Sequence, residues 1–291
     1  MCDSCGCSIT GGNPARIVPD GRTVHTEGSR AEITLAADLL ANNDHQAMHN
    51  REHFERHGVL ALNLMSSPGA GKTSLLEATI EALGDELRIA VIEGDLETEN
   101  DAERIRAHGV PAVQISTGNA CHLDAHMVHD ALHEIDLDEI DLLFIENVGN
   151  LVCPASFDLG QHRNITLLSV PEGDDKPAKY PVMFRAADLV LLAKSDLLPY
   201  LTEFSPTRAE QYLRRLATLA PFLEITTRDP EGIDPWIGWL RDQVRNMRAE
   251  SGQEKTSQAS REAPFSGAEG GQGHHLHHRD RRDRTHAYGG E

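Results

Sequence analysis

All five cysteines of this 291-residue chain fall into two groups that could bind a metal ion. Cys2, Cys5 and Cys7 lie in the N-terminal segment MCDSCGC, whereas Cys121 and Cys153 come much later. In a reducing compartment, cysteines with such spacings indicate metal or catalytic sites rather than disulfides. Between the two groups runs SSPGAGKTS, a candidate phosphate-binding loop. We therefore expect the chain to bind a nucleotide and a soft or borderline metal ion, and to couple the two events.

The N-terminal group offers three thiolates within six residues. The sulfurs of Cys2 and Cys5, in a Cys-x-x-Cys spacing, can chelate one ion, and Cys7 adds a third ligand. Both Ni²⁺ and Zn²⁺ accept thiolate ligands. The alternative is a redox-active Cys-x-x-Cys, but no thioredoxin-like strand precedes the motif.

The second group combines Cys121 with the adjacent His122, a pair predicted to open a helix, and with Cys153. Cys153 lies near the end of the strand-like run IDLLFIENVGNLVCP and follows Glu146 by a few residues. These three side chains could gather at one edge of a sheet as a site for nickel or zinc. The alternative that the spacing leaves open is two core cysteines and a surface histidine.

The loop SSPGAGKTS lies between an apolar run and a helical segment, which is the context expected of a phosphate loop. Glycines let the backbone aim its N–H groups at phosphates, the lysine reaches the β and γ oxygens, and the threonine hydroxyl can bind Mg²⁺. Ser66 replaces the usual first glycine, and a chance glycine-rich turn is the alternative. The predicted nucleotide-binding residues of the loop are Gly69, Ala70, Gly71, Lys72, Thr73 and Ser74.

Two carboxylates follow apolar runs, where a parallel sheet presents its ligand crevice. Asp95 and Glu146 could complete a Mg²⁺ shell with Thr73, although either could instead be a solvated carboxylate at a strand end. We predict that Lys72 and these three residues carry hydrolysis of the nucleotide. The sequence identifies neither a catalytic base nor an arginine finger, so slow turnover is expected.

The segment LLAKSDLL contains the Lys-x-Asp of guanine-specific triphosphatases. Asp196 can accept hydrogen bonds from both donors on the guanine edge, a pair that adenine lacks, and Lys194 belongs to the same motif. Ala193 replaces the usual asparagine and removes one contact to the base. GTP is therefore the predicted nucleotide, and an ATP-dependent relative is the alternative.

The elements that must position these residues alternate between apolar runs and amphipathic stretches. Continuous apolar runs separated by helices predict an α/β fold of the P-loop NTPase class, with a mostly parallel sheet flanked by helices. We predict a flexible metal-binding leader (1–30), N-terminal helices (31–58), a P-loop GTPase domain (59–248) and a disordered His-rich tail (249–291).

The composition of the chain limits the classes of partner and the compartment that we expect. The formal net charge is −19, which disfavours a nucleic-acid partner because phosphate binding needs clustered cations. No apolar run approaches the ~18 residues of a membrane span, and no signal peptide is evident, so a cytoplasmic protein is expected.

Histidines recur at helical spacing in two places. Such periodicity is typical of a solvated polar face. The two sets are His45, His49, His53 and His57, and His122, His126, His129 and His133. A third cluster near the C-terminus includes His274, His275, His277, His278 and His286 and could buffer metal weakly.

Several long blocks of sequence occur in the same order as in a known family. From Met1 to about residue 248, the chain resembles the HypB family, the GTPases of nickel–iron hydrogenase maturation. They include MCDSCGC, LNLMSSPGAGKTSLL, VIEGDLETENDAERI, GNACHLDAHMV, FIENVGNLVCPASFDLG, VPEGDDKPAKYPVMF and LLAKSDLLPYL. The resemblance implies a tight nickel site at the N-terminal cysteines and a second nickel or zinc site at Cys121, His122 and Cys153.

The resemblance also implies a nucleotide-dependent homodimer, slow GTP hydrolysis and transfer of nickel, with a HypA-type accessory protein, to the hydrogenase large subunit. Two alternatives are a urease-type nickel GTPase and a passive nickel-storage protein. The N-terminal CDSCGC motif and the separated second metal group argue against the first. The intact Gly-Lys-Thr motif argues against the second.

Overall fold

The computed structural model describes residues 16–17, 23–24, 30–95, 100–118 and 120–262, and the side-chain surroundings of residues 39–95, 100–118 and 120–250. Backbone contacts separate a unit that ends at Gln253 from one that begins at Glu254. The first unit contains the sheet and the sites described below.

The described part of the chain is built from alternating strands and helices. The strands are β1 (Arg16–Ile17), β2 (Thr23–Val24), β3 (Leu60–Ser66), β4 (Ile89–Asp95), β5 (Ala112–Ser116), β6 (Leu142–Glu146), β7 (Arg163–Ser169), β8 (Leu189–Ala193) and β9 (Phe222–Glu224). The helices are α1 (Arg30–His57), α2 (Lys72–Leu83), α3 (Asn100–Ala107), α4 (Ala125–Leu132), α5 (Lys176–Lys179), α6 (Pro181–Arg185), α7 (Pro206–Arg215) and α8 (Asp234–Glu262).

Seven strands form one sheet in the order β5-β4-β6-β3-β7-β8-β9. Every neighbouring pair in it is parallel, which confirms the predicted α/β fold with helices on the sheet. β1 and β2 form a separate antiparallel pair. Because the strands are parallel, their carboxyl ends meet at one edge, and the phosphate loop leaves central β3 there.

The helices cover both faces of the sheet. On one face α2 and α8 pack, and the indole Nε1 of buried Trp236 donates to Thr79 Oγ1 at 2.9 Å. On the other face α1 and α4 pack through residues such as Phe54 and Val128. Successive residues of β3 and β4 point alternately to these two groups, as the pleat of a strand requires. No helix among the described residues has the length and apolar character needed to cross a bilayer.

The start of α4 differs from the sequence-based prediction. The prediction that Cys121 and His122 open a helix near residue 120 is wrong, because α4 begins at Ala125. The Asp124 side chain accepts a hydrogen bond from the backbone N–H of Met127 and so caps the helix at its first turn. The two candidate metal ligands therefore lie in the loop before the helix, and His122 is not on the face of α4 that carries the later histidines.

The last helix, α8, begins at Asp234 and continues to Glu262, past residue 248, where the predicted GTPase domain ends. The residues beyond 248 include Ala, Glu, Gln and Lys, which have high helix propensity and favour continuation of a helix that packing has already started.

Candidate functional site

The phosphate loop encloses a pocket of about 420 Å³ at the carboxyl edge of the sheet. Gly69 and Gly71 have φ angles of +74° and +111°, a region that residues with a Cβ rarely adopt, so the two glycines shape the loop. Buried Lys72 donates a hydrogen bond from Nζ to Ser66 Oγ at 3.2 Å. The serine that replaces the usual first glycine thus holds the lysine that faces the pocket.

Glu146 lies at the base of this pocket and is only 3% exposed. Its Oε1 accepts a hydrogen bond from Thr73 Oγ1 at 3.0 Å and lies 4.0 Å from Lys72 Nζ. Burial raises the pKa of Glu146 to about 7, although Lys72 and the Thr73 hydroxyl lower it. The second oxygen is buried without a hydrogen-bond partner in the protein. A buried carboxylate with an unused oxygen beside a threonine hydroxyl fits a magnesium ion.

Glu93 is a second buried carboxylate in the pocket, and the sequence analysis did not identify it. It is 2% exposed and stands opposite Glu146 in the register of β4 and β6. Burial, and after it the charge of Glu146, raises the pKa of Glu93 to about 8. One of its oxygens also lacks a hydrogen-bond partner in the protein. The available signal was an acidic residue inside an apolar strand, two positions before Asp95 and so on the same face.

Replacing Glu93 with Gln is expected to make thermal stability less sensitive to pH between 5 and 8 in the protein without nucleotide. The folded-state pKa of about 8 lies above the ordinary 4.5, so the folded protein binds more protons than the unfolded chain in this interval. Stability therefore falls as pH rises, by ~1.4 kcal/mol per unit of pKa difference. Gln does not titrate and removes this loss.

The measurement is the melting temperature of wild type and variant at pH 5 and pH 8. Glu224→Gln, an exposed carboxylate at the end of β9, is the matched control. Equal pH-dependent decreases in wild type and Glu93→Gln would show that Glu93 ionises as readily in the folded state as in the unfolded chain.

Three further residues line the pocket near the end of β4: Asp95, Asp101 and Arg104. The Arg104 guanidinium is held by Glu77 at 2.6 Å and by Asp101 at 2.7 Å. The sequence did not single out this arginine, because it lies on a short polar helix with no motif of its own. Its position brings a cation to the same pocket as Lys72.

The candidate base-recognition residues follow β8. Lys194 adopts a left-handed conformation with φ +59°, lines the phosphate pocket and donates from Nζ to the Gly69 carbonyl at 2.7 Å. Asp196 Oδ1 accepts a hydrogen bond from Thr226 Oγ1 at 2.7 Å. Arg228 Nε lies 3.9 Å from the other carboxylate oxygen. The loop after β9 thus orients Asp196, a contact between residues 30 apart that no local motif announces.

Cys121, His122 and Cys153 come together although 32 residues separate the two cysteines. Their candidate ligand atoms all lie within 4.8 Å of one another. The two Sγ atoms are 3.0 Å apart, and Cys121 Sγ lies 3.8 Å from His122 Nδ1. Both cysteines are half-buried, whereas His122 is 3% exposed and stacks on Phe157 with ring centroids 3.9 Å apart. This arrangement differs from two core cysteines with a surface histidine.

The electrostatics of the cluster suit a metal ligand. Burial lowers the pKa of His122, which favours the neutral imidazole that binds metal. Two thiols and one imidazole form a donor set that binds late first-row metal ions in preference to calcium or magnesium. The partial exposure of both cysteines keeps the cluster accessible from the surface.

The segment 146–153 connects this cluster to the phosphate pocket. Asn147, next to Glu146, accepts on Oδ1 a hydrogen bond from Leu123 N at 3.1 Å. Asn150 donates from Nδ2 to the Cys121 carbonyl at 3.2 Å. A Cβ at Gly149 would lie 2.9 Å from Pro68 of the phosphate loop, so only glycine permits this approach. The segment 146–153 therefore contains both the pocket carboxylate Glu146 and the candidate ligand Cys153. Its two asparagines also hydrogen-bond to the loop that carries Cys121.

The other predicted metal ligands, Cys2, Cys5 and Cys7, lie outside the described residues, as do the tail histidines His274, His275, His277, His278 and His286.

Comparisons with known proteins bear on the fold and the family of the chain. The sequence model of the family described as "CobW/HypB/UreG, nucleotide-binding domain" matches residues 60–224. The hydrogenase maturation factor HypB of Azotobacter vinelandii is 54% identical over 211 residues, which cover 72% of this chain and 69% of that protein. The hydrogenase/urease maturation factor HypB of Helicobacter hepaticus is 45% identical over 229 residues, which cover 77% of this chain and 92% of that protein.

A solved structure agrees as well. The crystal structure of HypB from Helicobacter pylori in complex with nickel has a TM-score of 0.68 and 42% sequence identity, covering 70% of this chain and 96% of that one. The fold and the extent of these matches leave no doubt about the family. The chain belongs to the CobW/HypB/UreG nucleotide-binding proteins and, within them, to the HypB hydrogenase maturation factors.

Proposed function

We propose that this protein is a GTP-hydrolysing nickel metallochaperone that delivers nickel during maturation of nickel–iron hydrogenase. The observation that carries the proposal is the segment 146–153, which begins at a carboxylate of the nucleotide pocket and ends at a cysteine of the metal cluster. Through Asn147 and Asn150 it also holds the loop of Cys121. A nucleotide that displaced this segment would change the spacing of the ligands.

Nickel is the proposed cargo of Cys121, His122 and Cys153, and zinc is a second ion that the same donors accept. The related Helicobacter pylori structure, solved in complex with nickel, supports the choice. We place a second nickel site at the N-terminal cysteines, on the strength of their spacing alone.

For hydrolysis, Mg²⁺ would be held by Thr73, Glu146 and Asp95. Glu93 lies beside Glu146 on the neighbouring strand. Bound Mg²⁺ supplies charge neutralisation on the β and γ phosphate oxygens. The backbone N–H groups of the phosphate loop and the Lys72 ammonium bind the same phosphates and stabilise the charge that develops as water attacks. None of the described residues that line the pocket is a histidine that could act as a general base. We therefore expect slow turnover, which suits a switch.

The proposed partners are a second copy of this chain, a HypA-type accessory protein and the hydrogenase large subunit, in the cytoplasm. Support for a contact surface at the metal cluster comes from Val152, which is 55% exposed beside Cys153. Because the Helicobacter hepaticus relative is named a hydrogenase/urease maturation factor, delivery to urease is a second candidate role.

The test is nickel affinity of the reduced protein with GDP and with a non-hydrolysable GTP analogue. All variants carry Cys2, Cys5 and Cys7 replaced by Ala, which leaves one thiolate site. We expect the two affinities to differ by about 5- to 150-fold, the usual range of coupling between sites. Cys121→Ala is expected to abolish the difference, and His126→Ala, an exposed histidine of α4, to preserve it.

Equal affinities in both nucleotide states would contradict coupling within the isolated protein. GTP would then have to act through dimerisation or through a partner.

A further inference from the structure

Two pairs of histidines face each other between α1 and α4. His53 and His57 are four residues apart on α1, and His129 and His133 are four apart at the end of α4. Histidines at this spacing lie on one side of a helix and can bind one metal ion together. All four line a cavity of about 230 Å³ between the helices.

The ring separations match those of imidazoles that share an ion. With metal–nitrogen bonds of 2.0–2.1 Å, two imidazoles on one tetrahedral ion have centroids about 5 Å apart. The centroids of His129 and His133 are 5.0 Å apart, and those of His53 and His129 are 5.9 Å apart. Among the described residues, only Cys121, His122 and Cys153 have ligand atoms that already lie within 4.8 Å of one another, so metal binding by the histidines requires rotation of rings such as exposed His133 and half-buried His53.

The protein fixes the tautomer of His129. Buried Asn50 donates from Nδ2 to the carbonyl oxygens of Ala125 at 2.8 Å and Leu159 at 3.0 Å, which sets the orientation of its amide. Its Oδ1 therefore faces His129 Nδ1, at 3.2 Å, and can only accept. The proton of His129 is on Nδ1, and the lone pair of Nε2 is available for a metal.

His57 has a similar support on the other helix. Its Nδ1 lies 2.7 Å from Asp138 Oδ1. A carboxylate or carbonyl oxygen on one ring nitrogen is the usual outer partner of a histidine that binds metal through the other nitrogen. One histidine of each pair is thus already oriented.

We propose that His53, His57, His129 and His133 form a binding site for a divalent late first-row ion, Ni²⁺ or Zn²⁺, distinct from the Cys121 cluster. Imidazole nitrogens are suitable ligands for both ions. Burial, then Arg56 and the other three histidines, lower the pKa of His53, which favours its neutral, metal-binding form. The proposal is independent of GTP hydrolysis.

The test is chemical modification of histidines with diethylpyrocarbonate, read residue by residue by mass spectrometry. The full-length protein, with Cys2, Cys5, Cys7 and Cys121 replaced by Ala, is treated with and without one added equivalent of Zn²⁺, and separately of Ni²⁺. We expect modification of the four histidines to slow at least tenfold with metal. His45 and His49, an exposed pair on α1 with rings 4.7 Å apart, serve as the internal comparison.

Two variants complete the experiment. In His57→Gln/His129→Gln the protection of His53 and His133 is expected to disappear, whereas His45→Gln/His49→Gln is expected to leave it intact. The proposal is overturned if metal slows the four histidines no more than it slows His45 and His49. The result does not depend on nucleotide, so it is separable from failure of nucleotide–nickel coupling.

Discussion

Replacing Glu146 with Gln is expected to lower kcat for GTP hydrolysis by about 100- to 1,000-fold, as removal of one preorganised electrostatic group typically does. The carboxylate accepts from Thr73, lies 4.0 Å from Lys72 and keeps one buried oxygen for a cation. Gln retains the shape and one acceptor but removes the negative charge, so the proposed magnesium site would lose its most buried ligand.

The measurement is steady-state GTP hydrolysis at saturating Mg²⁺, with GTP affinity determined separately. Glu224→Gln, exposed at the end of β9, tests whether any carboxylate at this edge of the sheet has the same effect. A Glu146→Gln variant that hydrolyses GTP within threefold of wild type would assign the magnesium site to other residues, with Glu93 and Asp95 first among them.

The second large effect is expected for Asp196→Asn, which should weaken GTP binding about 100-fold and strengthen binding of XTP. Asp196 can accept from both donors of guanine, whereas Asn presents one acceptor and one donor. The amide N–H of Asn faces an N–H group of guanine, so both donors lack an acceptor. Unpaired donors in a preformed site cost binding free energy. Xanthine carries a carbonyl at that position and accepts from the new amide.

Competition among GTP, XTP and ATP for the same fluorescent nucleotide measures the change. Asp229→Asn alters an exposed carboxylate in the loop that supports Asp196 and should leave the order of affinities unchanged. An Asp196→Asn protein with an unaltered ratio of GTP to ATP affinity would place guanine recognition elsewhere, and Ala193 would then mark a real departure from the guanine-specific motif.

Sequence patterns predicted the sheet, the phosphate loop and its lysine because these depend on local order. An apolar strand, a glycine turn and a helix follow one another directly from β3 to Leu83. The predicted start of α4 near residue 120 is too early, because the helix begins only after Asp124, whose side chain caps it.

Other parts of the site depend on register and on contacts distant in sequence. Glu93 reaches the pocket because β4 pairs with β6 so that it stands beside Glu146, and no linear motif encodes that pairing. The spacing in sequence left two alternatives for Cys121 and Cys153, a shared metal site or two core cysteines. The contact between the loop before α4 and the turn after β6 brings the two cysteines together, and the sequence does not encode that contact locally. The histidines showed a periodicity in sequence, but only the packing of α1 against α4 shows that two pairs face each other.

The 3.0 Å separation of the Cys121 and Cys153 sulfurs also bears on oxidation. Two half-exposed thiols this close need little movement to form a disulfide when an oxidant such as hydrogen peroxide removes two electrons and two protons. A disulfide would remove both thiolate ligands at once, so a bound metal ion and an oxidant compete for the same pair of sulfurs. Air exposure would thus remove the metal-binding capacity of the Cys121 cluster while leaving the nucleotide pocket intact, and a reductant could restore it.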